Sequence, residues 1–198
     1  MTSRKLEKYE LILDAALKVI AENGFHGSQI SKIAKEAGVA DGTIYLYFKN
    51  KEDILISLFQ ERLGNLVGMF HSSIKESTTA EDALRKVCEI HFNELENNVN
   101  LAYVTQIELR QSSLELRKAI GLVVKPYIQL IEHIVERGMA EGAFRKDLDA
   151  KLTRLLIFGA MDEVVTSWLI SGRKYSLSAQ VDKTVDFFLR GLKSFGGV

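Results

Sequence analysis

A single proline, Pro126, interrupts a chain of 198 residues, and no stretch rich in glycine, proline and serine divides it. So few breakers favour long helices over many short strands. The apolar residues agree. Leu6, Tyr9, Leu13, Leu17 and Ile20 recur at three- and four-residue steps, the spacing that lines one face of a helix. Asn23-Gly24 ends this run, with Gly24 free to take the left-handed conformation that stops a helix. Ser28 reads as the N-cap of a short second helix reaching about Ala37; Gly38 breaks it, and a third segment covers Ala40 to Phe48. From Glu52 the periods lengthen. Ile54, Leu58, Leu63, Leu66 and Phe70 mark a long connecting helix, and Thr78 or Thr79 caps the next, which Asn97-Asn98 ends. Leu101 to Arg110, Leu114 to Gly142 with a kink at Pro126, Asp149 to Leu169 and Ser178 to Phe195 complete a count of about nine helices. No internal repeat and no alternation of period two is present. The fold class is all-α.

Hydrophobic residues make up 46% and charged residues 26% of the chain, a balance that suits a globular core rather than a disordered chain. Twenty-six basic side chains meet 26 acidic ones, so no global excess points to nucleic acid. A DNA-binding module needs only a local basic surface. Between Met1 and Lys51 there are eight Lys/Arg against six Asp/Glu, a small positive balance. The one cysteine, Cys88, rules out an intrachain disulfide and fits a reducing compartment. The start MTSRKLEKYE lacks an apolar signal core, and no apolar run approaches the roughly 18–20 residues that span a bilayer. The expected location is cytoplasmic, with no membrane partner.

The segment Ser28 to Ile54 meets the requirements of a helix-turn-helix. Ala34 is small where two helices must approach; Gly38, four residues on, suits positive φ in the turn; Ile44, six further, packs the second helix on the first. Ile30, Ile33 and Val39 fill that small core. An ordinary helical corner fits the small-x3-Gly spacing equally well. The leftover surface tips the balance: Asp41, Gly42, Thr43, Tyr45 and Tyr47, then Lys49 and Lys51, present hydroxyls and ammoniums suited to phosphates and to one or two base edges.

The same residues carry a resemblance. Gly38-Val39 followed by Thr43-Ile44-Tyr45-Leu46-Tyr47-Phe48-Lys49-Asn50-Lys51 resembles the DNA-binding segment of the TetR family of bacterial repressors, over Leu11 to Leu58. The resemblance implies that Thr43, Tyr45, Tyr47 and Lys51 hold the phosphate backbone, while Ser31, Lys32, Asp41 and Gly42 lie at or near the groove. Ala40 departs from the family, where Ser or Thr is common; Asp41 then either replaces the cap, complements the helix dipole or accepts from cytosine N4.

The segments Thr105 to Ser112 and Ile157 to Glu163, with the head ADGTIYLYFKNKEDILISLF, are also similar to the fatty-acid-degradation regulators of Gram-positive bacteria. That subgroup is released from DNA by long-chain acyl-CoA. The likeness implies an effector rather than a resident cofactor. Phe70, Phe92, Tyr103, Ile107, Ile131, Met161 and Trp168 could line a dry slot, or be plain core. Arg110 with Gln111, and Arg117 nearby, suit a diphosphate, because guanidinium offers paired donors; for Arg110 an ion pair with Glu108 or Glu115 fits as well. Gln106 suits a thioester or pantetheine amide, or a core backbone group. The last two helices, with Gly159 and Ala160 permitting close approach, are those that form a four-helix homodimer interface by the same resemblance. A repressor of efflux genes answering to hydrophobic drugs or cations is the alternative, with Glu108 or Glu163 as the acid.

Catalysis is the rival class. His26, His71, His91 and His133 are scattered and match no metal-binding spacing, and Cys88 has no nucleophile motif around it. For His26 and His91 a satisfied structural role fits better. The chain is expected to be no enzyme, with residues 1–51 reading double-stranded operator DNA and residues 52–198 sensing the effector and dimerising.

Overall fold

The computed structural model describes residues 3–110 and 113–194. Among them are nine α-helices and no strand: α1 Ser3–Gly27, α2 Ile30–Glu36, α3 Asp41–Ile44, α4 Lys51–Lys75, α5 Ala80–Asn97, α6 Val99–Glu108, α7 Leu114–Glu141, α8 Ala150–Ile170 and α9 Val181–Leu192, the last entered through a 3-10 turn at Ser178–Gln180. None of these helices is long and apolar enough to cross a membrane. The all-α reading of the sequence holds.

Local chemistry sets most boundaries. Gly24 stands at φ +67° and breaks α1 near its end. Thr79, of the two threonines considered, caps α5 by accepting from Asp82 N at 3.1 Å. Asp149 caps α8 through Lys151 N and Leu152 N. Asn50 accepts from Asp53 N at 2.8 Å, and Asp53 accepts from Lys49 N at 2.9 Å, a reciprocal arrangement that starts α4. Pro126 sits inside α7 without ending it.

Ser28 corrects one expectation. It is not the cap of α2; that position is Gln29, which makes no side-chain cap bond. The Ser28 hydroxyl is instead buried and donates to Gly24 O at 2.7 Å and Val19 O at 3.1 Å. The break at Gly24 strips carbonyls of their helical partners, and Ser28 supplies the missing donor. The third segment is also shorter than its apolar pattern suggests: α3 ends at Ile44, and residues 45–47 continue as turns.

Packing divides the chain into two compact units, Met1–Gly64 with Val99–Val123, and Asn65–Asn98 with Val124–Val198. In the first, α1 packs on both α2 and α6, and α2 carries α3. Ile12, Leu13, Ala16, Ile20, Ile33 and Ile44 are fully or almost fully enclosed. Arg62 of α4 binds Glu10 at 3.0 Å and Asp14 at 2.7 Å on α1, and Lys18 binds Glu36 of α2 at 2.7 Å.

In the second unit, α5 packs on α9 and α8. Its interior is aromatic around one polar pair. The Tyr127 hydroxyl lies 3.0 Å from His91 Nδ1; Phe70 stacks on Tyr127 at 4.7 Å and Phe158 meets it edge-on at 5.5 Å. Burial pushes the His91 imidazole down to about 4, against a smaller opposing pull from Asp162. Gly138, inside α7, makes room for the segment that follows the helix: a Cβ there would fall 2.1 Å from the ring of Phe144, which is itself buried.

Gly138→Ala is therefore expected to cost about 1–3 kcal/mol through overpacking, whereas Gly121→Ala, on the same helix with open space around it, should gain about 0.5–1 kcal/mol from helix propensity. Urea unfolding of both variants checks the pair. For His91, the depressed folded value of about 4 against 6.5 unfolded means that the unfolded chain takes up the proton first as pH falls. The stability present above pH 6.5 is expected to decline between pH 6.5 and about 4, and His91→Phe should flatten that part of the profile. Unchanged pH dependence in the variant would contradict a neutral buried ring.

Candidate functional site

The α2–turn–α3 corner is built as its sequence requires. Ala34 is fully buried where the helices meet, and Gly38 holds φ +64° in the turn. Val39 N closes the corner on Ala34 O at 3.0 Å. Ile44 and Phe48 point inward, and Tyr9 of α1 stacks on Phe48 at 5.1 Å. Their neighbours point out: Tyr45 is 58% and Leu46 74% exposed.

The eight residues singled out for DNA divide by exposure. Ser31, Lys32, Asp41, Gly42 and Tyr45 are exposed; Thr43, Tyr47 and Lys51 are half-buried. Lys32 reaches Asn23 Oδ1 at 3.2 Å without leaving the surface. The Tyr47 ring tilts against Phe48, with the Lys5 ammonium 6.0 Å from its centroid. Ala40 brings no side-chain cap, and Asp41 stands in the first turn of α3 as an exposed acid. Lys49 is exposed beside them. Leu46, which the sequence reading did not select, is the most open apolar group of this surface; alternation of inward Ile44 and Phe48 was the signal for it.

Lys51 does something the motif did not disclose. Its ammonium donates to Phe25 O at 2.8 Å and sits 4.4 Å over the Phe25 ring. On the other side of the same residue, Phe25 N donates to the buried carboxylate of Glu108 at 2.8 Å. One residue at the end of α1 is thus held by α4 through its carbonyl and by α6 through its amide. Nothing in the local sequence pairs Phe25 with a residue 83 positions away.

The residues singled out for an effector fall in both units. In the first, Gln106 is buried, Tyr103 half-buried, and Ile107 54% exposed on α6. Arg110 is exposed and donates to Gln106 O, one turn back, at 2.8 Å; Arg117 is exposed on α7. Gln111 lies outside the described residues. In the second, Phe70, Phe92, Ile131 and Met161 are fully buried. Trp168 is buried too, and its indole N–H donates to Tyr175 O at 2.8 Å, which ties down the segment after α8. His91, expected to be a satisfied structural histidine, is only half satisfied: Nε2 finds no hydrogen-bond partner among the described residues.

The last two helices leave an apolar face open. Leu152, Leu155, Leu156 and Phe187 are all more than half exposed, with Phe187 at 72%. Gly159 and Gly191 are exposed with open space where a Cβ would stand. A groove of about 640 Å³ beside them is lined by Leu148, Leu156, Ile157, Ala160, Phe187 and Phe188. Trp168, Val181, Val185 and Leu192 face the unit's own interior. Phe187 was missed beside Phe188 because two adjacent aromatics leave open which one turns in.

Residues 12–58 match the family of bacterial regulatory proteins called tetR, and residues 59–191 match the C-terminal region of YsiA-like proteins. The fatty acid metabolism regulator protein of Bacillus subtilis (strain 168) is 50% identical over 189 residues, spanning 96% of this chain and 97% of that one. Among solved structures, the fatty acid degradation regulator FadR of Bacillus halodurans superimposes with a TM-score of 0.90 at 49% identity, covering 93% of this chain and all of the other. The transcriptional regulator FadR of B. subtilis in complex with stearoyl-CoA does so with a TM-score of 0.90 at 50% identity, covering 93% and 99%. These relatives are regulators and not enzymes. Identical to one of them at half its aligned positions, and matched along nearly its whole length, the chain belongs to the TetR family of bacterial regulatory proteins.

Proposed function

We propose that this protein is a cytoplasmic, ligand-responsive repressor that binds double-stranded operator DNA as a homodimer, controls genes of fatty acid degradation, and leaves DNA when long-chain acyl-CoA binds. The observation that carries the reading is the likeness, at 50% identity over 93% of the chain, to a regulator crystallised with stearoyl-CoA. The exposed hydroxyls and ammoniums around α3 support the DNA half of it.

In this reading residues 1–51 meet the duplex and residues 52–198 sense and dimerise. Thr43, Tyr45, Tyr47 and Lys49 contact phosphates, and Ser31, Lys32, Asp41 and Gly42 face the groove. Lys51 acts less through a phosphate than through Phe25, since its ammonium already binds that carbonyl. Arg110 and Arg117 of the first unit and the aromatic interior of the second are separate candidates: the guanidiniums suit the effector's phosphates, and the interior suits its hydrocarbon. The open face of α8 and α9 pairs with its copy, and reading two half-sites asks that the two α3 helices meet successive major grooves about 34 Å apart.

Release follows from differential affinity: weakening DNA binding tenfold requires the effector to prefer the non-binding state by about 1.4 kcal/mol, and a thousandfold about three times as much. Glu108 gives α6 a direct hold on the helix-turn-helix through Phe25, and α4 runs without a break from Lys51 to Lys75. A shift of either helix reaches the reading surface.

Two measurements test the reading. In a salt series of operator binding, Tyr47→Phe is expected to lower affinity about 10–100-fold with an unchanged slope, as for one lost hydrogen bond to a charged phosphate. Lys49→Ala should reduce the slope of log K against log salt by about 1. Identical slopes would remove Lys49 from the backbone contacts. In a titration of the operator complex, stearoyl-CoA should release DNA whereas stearate and a cationic dye should not; release by the dye would favour a drug-responsive regulator. Arg110→Ala should raise the half-release concentration about tenfold and leave DNA affinity within about twofold. A native mass spectrum of the same samples reports whether the DNA-bound species is dimeric.

A further inference from the structure

His91 is 5% exposed and offers one ring nitrogen to Tyr127. The other, Nε2, has no hydrogen-bond partner among the described residues. Counting protons fixes the tautomer. If Nδ1 carried the proton and donated to the phenol oxygen, both the phenol proton and the Nε2 lone pair would lack partners. If Tyr127 donates to Nδ1, only Nε2–H is left over. The second arrangement leaves fewer groups unmet, so Nε2 is a donor aimed into the interior of its unit.

The surroundings say what kind of acceptor fits. Phe92 lies 5.8 Å from the imidazole by ring centroids, Phe70 and Phe158 pack on Tyr127, and the Cys88 sulfur lies 3.5 Å from that of Met161. These are hydrocarbon and sulfur neighbours, which solvate an ion poorly. Among the described residues, the charged group acting on both the imidazole and the phenol is Asp162, itself buried. A second carboxylate beside it would meet like charge in a poorly solvated place. The complement is a neutral oxygen acceptor attached to a long apolar chain.

Resting on the acyl-CoA reading above, we infer that His91 Nε2–H is the donor to the thioester carbonyl of the bound acyl-CoA, and that Tyr127 positions the ring for it. Together with Asp162 this makes the interior selective for a neutral acyl thioester over the free fatty acid. A buried donor that goes unmet without the effector is an unfavourable feature, and the effector's carbonyl relieves it.

The test uses the intact protein with two ligands, stearoyl-CoA and S-octadecyl-CoA, in which a methylene replaces the thioester carbonyl. Calorimetry on the wild type is expected to give about tenfold tighter binding of the thioester, and His91→Phe should bind both ligands equally, at the weaker level. With 15N-labelled histidine, the Nε2 resonance of His91 should move on addition of stearoyl-CoA and stay in place with S-octadecyl-CoA. Equal wild-type affinities, or an Nε2 resonance that stearoyl-CoA leaves unmoved, overturn the inference while the acyl-CoA reading stands. Failure of the wild type to bind either ligand overturns that reading as well. If His91→Phe does not fold, the two-ligand comparison and the resonance of the wild type still decide.

Discussion

The Phe25 peptide is the joint on which the reading head depends. Its amide is held by Glu108 of α6 and its carbonyl by Lys51 of α4, so two opposite charges grip the end of α1 from two other helices. Each bond also settles a local difficulty. Gly24 has just broken α1 at φ +67°, leaving backbone groups that need new partners. Lys51 stands in the first turn of α4, where a positive charge opposes the helix dipole, and turning it to a carbonyl offsets this. The α3 helix has only four residues, far too few to persist alone. It stands because Ile44 and Phe48 are seated against the first unit, and that seat is fixed in turn at Phe25.

This arrangement explains why the compact unit around the helix-turn-helix includes Val99–Val123. Sequence order places that segment far from the head, yet α6 packs on α1 and contributes the carboxylate that holds it. Gln106 and Glu108 share α6, and Arg110, two residues past its end, donates to Gln106 O. On the proposed assignment of Gln106 and Arg110 to the effector, its contacts fall within two residues of Glu108 on the chain. On that proposal, sensing and reading would be linked through one helix rather than through a long chain of side chains.

Much of this was legible in the residues. Three- and four-residue apolar steps gave the nine helices, and Ala34, Gly38 and Ile44 gave the corner, because those features are set by local backbone and packing rules. Thr79 was a readable cap for the same reason. What escaped is non-local. Ser28 looks like a cap in sequence, but the break at Gly24 turns its hydroxyl backward. Glu108 looks like a helix-surface acid until Phe25 arrives from 83 residues away. Among the effector candidates, periodicity could place Phe92 and Ile131 inside but could not distinguish core from lining. Nor could it show that His91 keeps one nitrogen unmet, since that depends on where Tyr127 points.

Charge balance remains to be squared with DNA binding. The chain carries 26 positive and 26 negative side chains, so it has little long-range field to steer a polyanion. What matters is where the acids of the head are directed. Glu10 and Asp14 are bound by Arg62, a residue beyond the motif, and Glu36 is bound by Lys18. Asp53 accepts from Lys49 N at the start of α4. Four carboxylates are thereby engaged within the protein, and Lys32 and Lys49 stay on the surface beside α3. Within a Debye length of about 8–10 Å, these two lysines outweigh the exposed acid of α3, Asp41. Such short-range attraction acts only once the duplex is close, so the recognition surface must be held in place beforehand, which is the task of the Phe25 joint.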